Sequence, residues 1–366
     1  MAQAFLEENS GSEQIRKAME SELGYDPKVW DQIGAELGWT SVHIPEEYGG
    51  LGLGYVELVA LMEVMGGSLL CAPFFSSVCL GANALLVAGS EEQKQQYLPG
   101  IAEGTTRATL AYSGVAGAWD ASTVEVIAEK DGDDYRLSGK SAFVVDGHCA
   151  DLVIVAARSA GSSGEEGVSL FAVPSDADGF ARRVLPTVDQ TRRLAELTFE
   201  NVSVPATARL GGEGTAWPDI ARTLDLAAIA LSAEQVGGAQ KCLDLAVAYA
   251  NERQQFGRVI GSFQAIKHKC ADLMVKVESA RSAAYYAGCA VAEGNNAEID
   301  TVAPLAKAYC SDAYFQCAAD CVQIHGGVGF TWEYDVHLYF KRAKSTESLL
   351  GDAAFHRELL AQRIDL

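Results

Sequence analysis

Two short stretches of this sequence combine a guanidinium, amide side chains and a glycine pair, and each residue type has its own binding chemistry. In Glu252–Ile266 (ERQQFGRVIGSFQAI), Arg253 offers a planar fork of donors that can pair two phosphate oxygens at once. Phe256 follows three residues later, and Gln264 lies further on. In Gln323–Phe330 (QIHGGVGF), the pair Gly326-Gly327 lets a backbone approach a ligand more closely than residues bearing Cβ allow. Gln323, Ile324 and His325 lead into that pair. Taken singly, these residues also read as a surface arginine, a core phenylalanine and a helix-breaking glycine pair.

Metal and disulfide chemistry have no comparable signature. His43, His148, His268, His325, His337 and His356 are too dispersed to form a ligand set, so no metal site is expected. The nine cysteines include no Cys-x-x-Cys pair. Cys317 and Cys321 come nearest, at the spacing of one helix face, and free buried thiols in a reducing compartment are the expectation.

These stretches sit in an ordinary globular composition of 366 residues, 49% hydrophobic and 21% charged, long enough for two or three domains. The net charge of −21 repels nucleic acid and anionic membrane surfaces. It leaves room for an anionic ligand held by local basic groups. No apolar run approaches the ~20 residues of a bilayer span. The opening Met1-Ala2-Gln3-Ala4-Phe5-Leu6-Glu7-Glu8 lacks the basic and apolar parts of a secretory signal. A cytoplasmic protein without membrane insertion is the expectation.

Three compositional regions position the motifs. Residues 1–105 read as helices punctuated by turns: a Gly-rich loop over 45–54, an apolar helix ending at Gly66-Gly67, and a capping box at Ser90-Glu91-Glu92-Gln93. Residues 106–212 change to a period of two. Thr123–Ala128 alternates like a half-buried strand, Lys130–Asp134 supplies a hairpin turn, and Leu152–Ala157 and Val168–Val173 are apolar strands flanking a polar loop. Residues 213–366 return to helical period. One stripe runs Val236, Ala239, Leu243, Val247, Ala250, and a second runs Ile266, Cys270, Leu273, Val277, Ala280, Ala284, Ala287. The fold class expected is α+β, mainly α.

Four segments occur together in the order and spacing of the acyl-CoA dehydrogenase family. They are Pro45–Leu53 (PEEYGGLGL), Ser90–Pro99 (SEEQKQQYLP), Glu252–Ile266 and Gln323–Phe330. Nearly the whole chain resembles that family. The resemblance implies an N-terminal helical domain, a middle β domain and a C-terminal four-helix bundle, assembled as a dimer of dimers. It also implies FAD as cofactor and α,β-dehydrogenation of an acyl-CoA. In that chemistry a carboxylate takes the α-proton and the flavin accepts the β-hydrogen as hydride.

In the family each FAD lies across a dimer interface, so the two halves of the site can be read separately. The half that reaches to a neighbour's FAD is intact by resemblance, with Arg253, Phe256, Gln264, Gln323, Ile324, His325, Gly326 and Gly327 at its positions. The half that holds the ring is degraded. The family's Thr/Ser-Glu-Pro-x-x-Gly-Ser-Asp loop corresponds to Ser113–Asp120 (SGVAGAWD), with Trp119 where a small serine belongs. The Trp-Ile-Thr/Ser segment has become Phe143-Val144-Val145, and a valine cannot hydrogen-bond the flavin.

The family base, a glutamate in a Glu-Gly-Thr segment, corresponds to Leu350, and the alternative base position corresponds to Ala227, followed by Ala228. Asp225, Glu347 and Asp352 lie within three residues of these positions, but a general base tolerates little misplacement, and Asp352 and Asp225 read as exposed or capping residues. No catalytic residue is therefore assigned in this chain.

The resemblance implies the non-catalytic subunit of an α2β2 bacterial acyl-CoA dehydrogenase. A homologous partner subunit would hold the acyl-CoA, possible substrates include a steroid side-chain CoA ester, and an electron-transfer flavoprotein would accept the electrons. Two alternatives stand beside it: a homomeric dehydrogenase with a displaced acidic base, and a non-enzymatic scaffold of the same fold.

Overall fold

The computed structural model describes residues 2–366. Two units divide the chain, and each contains its own core. One unit comprises Glu20–Leu53 and Ala72–Ala227. Helices α3 (Pro27–Asp31), α5 (Asn83–Ala88) and α6 (Glu91–Ala102) belong to it. The expected capping box opens α6: the Gln93 amide donates to Ser90 Oγ at 3.3 Å, and the Ser90 amide donates to Gln93 Oε1 at 2.9 Å.

The sheet of this unit contains β1 (Ala108–Ala111), β2 (Ile127–Asp131), β3 (Asp134–Val145), β4 (Leu152–Ser159), β5 (Val168–Pro174), β6 (Phe180–Val184), β7 (Leu194–Val204) and β8 (Arg209–Leu210). The order is β6-β7-β3-β2-β4-β5-β8, with β1 added in parallel beside β4. Val153, Val155, Phe171, Val173, Leu197 and Phe199 lie in its core. Gly132 in a left-handed conformation closes the expected β2–β3 hairpin.

The strand expected to start at Thr123 begins only at Ile127. Asp120 turns the preceding chain into a 3₁₀ turn by accepting the Ser122 amide at 2.9 Å. The Arg158 guanidinium then takes the carbonyls of Val124 and Ala121 at 2.9 and 2.6 Å. Carbonyls satisfied by a buried side chain do not enter a ladder.

The second unit is helical. It contains α1 (Ala2–Asn9), α4 (Tyr55–Gly67), most of α7 (Trp217–Glu252), α8 (Gln264–Ala292), α9 (Asn296–His325), α10 (Val336–Ser348) and α11 (Ala353–Arg363), and α2 (Ser12–Glu20) enters it. Both expected stripes line this unit. Val236, Ala239, Leu243, Ala250, Leu273, Val277, Ala280 and Ala284 are buried, while Val247 stays partly exposed. Small residues set the closest approach: a Cβ at Gly237 would fall 1.8 Å from the Glu63 carbonyl oxygen, so α4 and α7 pack backbone to backbone there. A buried Arg342–Glu234 ion pair at 2.9 Å ties α10 to α7. Among the described residues, no helix is long and apolar enough to cross a membrane. The expected order of helical, β and helical regions is borne out.

Candidate functional site

The helical unit brings Glu252–Ile266 and Gln323–Phe330 together. Helix α7 ends at Glu252, and the chain turns back through a hairpin of β9 (Gln254–Gln255) and β10 (Arg258–Val259). Its two turn residues, Phe256 and Gly257, both have positive φ (55° and 76°). That is the geometry of a tight two-residue hairpin, normally filled by Asn or Gly. A phenylalanine there is conformationally costly, on the order of 1 kcal/mol. The return is exposure: Phe256 is 91% exposed at the hairpin tip, meeting only Phe263 edge-on at 6.2 Å.

Arg253 starts this hairpin. Its amide donates to the Tyr249 carbonyl at 2.8 Å, and its carbonyl accepts the Ile260 amide at 2.8 Å. The backbone is thus fixed at both sides of the residue. The guanidinium is exposed and makes no hydrogen bond or ion pair among the described residues. Gln264 opens α8 with an exposed side chain.

The second stretch ends α9. Gln323 is exposed, and Gly326 ends the helix at φ +64° before the 3₁₀ turn Gly326–Phe330. A Cβ built on Gly326 or Gly327 would meet nothing within 4 Å, so both glycines border open space. The two stretches join through one stacked pair: Tyr249, a turn before Arg253, lies on the His325 ring at 4.2 Å and 21°.

His325 is buried, and its Nδ1 donates to the Cys321 carbonyl at 2.8 Å. Burial works to lower its pKa, but the imidazole's hydrogen bonds to the Cys321 sulfur and carbonyl, with the charge on that sulfur, outweigh burial and leave it raised. Ile324 packs into the helical core. These two residues therefore shape the turn from beneath. Arg253, Phe256, Gln264, Gln323, Gly326 and Gly327 form the exposed surface.

Segments 113–120 and 143–145 lie in the other unit. Loop 113–120 follows β1 and is tied to β3, because the Ala142 amide and Ser141 Oγ both donate to the Ser113 carbonyl at 2.8 Å. A bulge in β3 between Ser141 and Val144 leaves Phe143 at φ +56°. A Cβ on Gly117 would come 3.2 Å from the Phe143 ring, so that ring covers the loop. Val145, in the hydroxyl position of the family segment, is buried, and its carbonyl accepts Thr109 Oγ1 at 2.7 Å.

Ala227 and Leu350, the two residues expected from the family resemblance at base positions, are apolar and buried, at 0% and 6% exposure. Leu350 sits at φ +63° in the turn after α10. Two side chains grip that turn. Lys307 Nζ donates to Gly351 O at 2.9 Å, Ser311 Oγ at 2.9 Å and Glu347 O at 3.2 Å. His356 Nε2 donates to Leu350 O at 3.0 Å. Lys307 has no carboxylate at ion-pair distance among the described residues, and burial pushes its ammonium down to about 7. Burial likewise holds the His356 imidazole at about 3.

Of the displaced carboxylates, Asp352 caps α11 by accepting the Phe355 amide at 2.8 Å. Glu347 pairs with Lys344 at 2.8 Å, and Asp225 is buried with a partner of its own.

Lys307 was not evident from sequence motifs. Its signal lies in the α9 pattern, where it occupies a core position among Ala303, Ala306, Cys310 and Tyr314.

The chain matches three family models, described as the N-terminal, middle and C-terminal domains of acyl-CoA dehydrogenase, over residues 1–105, 109–202 and 214–365. It is 36% identical over 348 residues to "Acyl-CoA dehydrogenase IpdE2" of Mycolicibacterium smegmatis, covering 95% of this chain and 91% of that one. Among solved structures it resembles a chain of the ChsE4-ChsE5 complex from Mycobacterium tuberculosis, with TM-score 0.90, 29% identity and coverage of 100% and 95%. It also resembles a variant of the Tcur3481-Tcur3483 steroid ACAD, with TM-score 0.88, 30% identity and coverage of 100% and 95%.

Proposed function

This chain belongs to the acyl-CoA dehydrogenase family, and on that premise we propose that it is a subunit without a catalytic base, completing the FAD site of a homologous partner in an α2β2 enzyme. One contrast carries the reading. The surface suited to a neighbour's cofactor is open at Gly326 and Gly327, and the Arg253, Gln264 and Gln323 side chains beside it are unpaired among the described residues, whereas both proposed base positions are buried and apolar.

FAD is the cofactor implied by the family and by a solved relative described as an FAD-dependent dehydrogenase. The residues present fit part of it. Arg253, with no competing carboxylate, would pair with the pyrophosphate through its planar fork. The open glycines would admit the cofactor's adenosine end against the backbone, and Phe256 would pack on it. The ring end finds no such fit in this chain, since Val145 offers no hydroxyl and Phe143 covers Gly117. When bound, FAD supplies hydride acceptance from the substrate β-carbon.

This chain's residues would orient the cofactor for chemistry performed in the partner, which supplies the base and holds the acyl-CoA. A bulky acyl group such as a steroid-derived CoA ester is supported by the likeness to the steroid ACAD, and an electron-transfer flavoprotein is the proposed acceptor.

Flavin stoichiometry tests the proposal. Purified alone, the chain is expected to be flavin-poor; co-expressed with a homologous partner, it should yield α2β2 with two FAD. A yellow homo-oligomer with one FAD per protomer would overturn the reading and favour a self-contained enzyme.

A further inference from the structure

Three thiols and an imidazole meet inside the helical unit, and no step proposed above uses the thiols. Helices α7 and α9 lie alongside each other in a constant register. Gln235 Nε2 donates to Ser311 Oγ at 3.0 Å, a Cβ on Gly238 would fall 2.3 Å from the Tyr314 ring, and Tyr249 stacks on His325 at 4.2 Å. Each pair is separated by the same 76 residues. That register sets Cys242 opposite Ala318, against the face that carries Cys317 and Cys321. All three thiols are buried in one core. The Cys242 thiol donates to the Cys321 sulfur, and His325 Nδ1 lies 3.7 Å from that sulfur.

The hydrogen bonds decide which thiol reacts. Cys71, Cys149 and Cys310 each donate to a backbone carbonyl, at 3.5, 3.4 and 3.4 Å. A thiol used in that way keeps its proton. Cys321 instead accepts from the Cys242 thiol and from the imidazole, which favours the thiolate and holds its pKa below the usual thiol value. Burial, and donation to Cys321, push Cys242 up, so it stays a thiol. A nucleophilic sulfur thus touches a protonated one, the arrangement of an attacking and a resolving cysteine. Cys321 stands in the last turn of α9, which runs out at Gly326 and Gly327 beside open space. Terminal turns open locally at little cost, enough to admit a molecule only slightly larger than water.

We propose that Cys321 and Cys242 form a peroxide-reactive pair that closes to a disulfide between α9 and α7, one helical turn before Gly326. The Cys321 thiolate attacks one oxygen of hydrogen peroxide. The O–O bond breaks, the sulfur becomes a sulfenic acid, and the leaving hydroxide takes a proton from solvent. The Cys242 sulfur then attacks the sulfenic sulfur. The S–S bond forms, the S–O bond breaks, and water leaves with the thiol proton. The two sulfurs give up two electrons and the peroxide gains them. Both cysteines belong to this chain, so the proposal stands apart from the reading of the cofactor site.

The test exposes the reduced full chain to hydrogen peroxide, quenches it by alkylation at intervals, and maps the cysteines by peptide mass spectrometry. A Cys242–Cys321 disulfide should form before the exposed Cys289 is oxidised, and dithiothreitol should reverse it. Cys242→Ala should leave Cys321 as a sulfenic acid that dimedone traps, and Cys321→Ala should leave Cys242 a thiol. His325→Phe keeps a ring against Tyr249 but removes the Nδ1 donor. It should slow the reaction about tenfold, as loss of a positive partner beside a thiolate requires. Should a variant melt well below the wild type, the wild-type map alone decides. Cys242 and Cys321 still reduced once Cys289 is oxidised, or a Cys242–Cys317 bond in their place, overturns the proposal.

Discussion

Two helix ends in the same unit use one backbone device to opposite effect. Helix α9 runs out through Gly326 at φ +64°, and α10 runs out through Leu350 at φ +63°. After α9, the glycines border open space, and the nearby guanidinium and amide side chains are unpaired among the described residues. After α10, a buried ammonium and a buried imidazole take the carbonyls of Glu347, Leu350 and Gly351. A sealed turn is complete within its own chain. An open one, with free donors around it, has room for a ligand. The two turns differ in what satisfies their polar groups, not in their backbone shape.

The largest effect should come from breaking the seal. Lys307→Ala leaves a cavity and strips donors from two carbonyls, which should cost on the order of 2–4 kcal/mol in denaturant unfolding. The same lysine gives a pH signature. Its folded pKa of about 7 lies below the unfolded value, so the unfolded state binds more protons between about pH 7 and pH 10. Wild-type stability should therefore gain a rising component across that window, and Lys307→Ala should lose it. An unaltered profile in the variant would remove Lys307 from the seal.

A middling effect is expected at the start of α11. Asp352→Ala removes its N-cap and should cost about 1 kcal/mol, while Asp352→Asn, which can still cap, should cost a few tenths. The smallest effect concerns turnover. Asp352→Asn, Glu347→Gln and Asp225→Asn should each leave dehydrogenation per bound FAD within a few-fold of wild type. Abolition by any one, with flavin retained, would identify a displaced base and collapse the distinction between the two turns.

What the sequence made legible was local or periodic. Ser90 and Gln93 carry their capping box within four residues, and the α7 and α8 stripes recur at helical spacing. The β2–β3 hairpin could be read from its turn residues. Less legible was whatever depends on residues meeting across the fold. The stack of Tyr249 on His325 joins two helices with no shared pattern. The late start of β2 depends on Arg158, a residue in a different strand. The motif residues were singled out from sequence as one group, and burial divides them. Ile324 and His325 face inward, a distinction that helical phase alone does not give at a frayed helix end.

In the proposed α2β2 enzyme, a chain with no base of its own controls a cofactor whose ring lies in its partner. Arg253→Ala in the α2β2 complex tests it most directly, by equilibrium dialysis of FAD with assembly monitored in parallel. A charge-assisted bond to phosphate is worth about 1.5–3 kcal/mol, so FAD retention should fall at least tenfold. Arg253→Lys should recover only part of the loss, since a point charge cannot reproduce the planar fork. Activity should return with excess FAD. Unchanged FAD affinity in an intact Arg253→Ala complex would contradict the account.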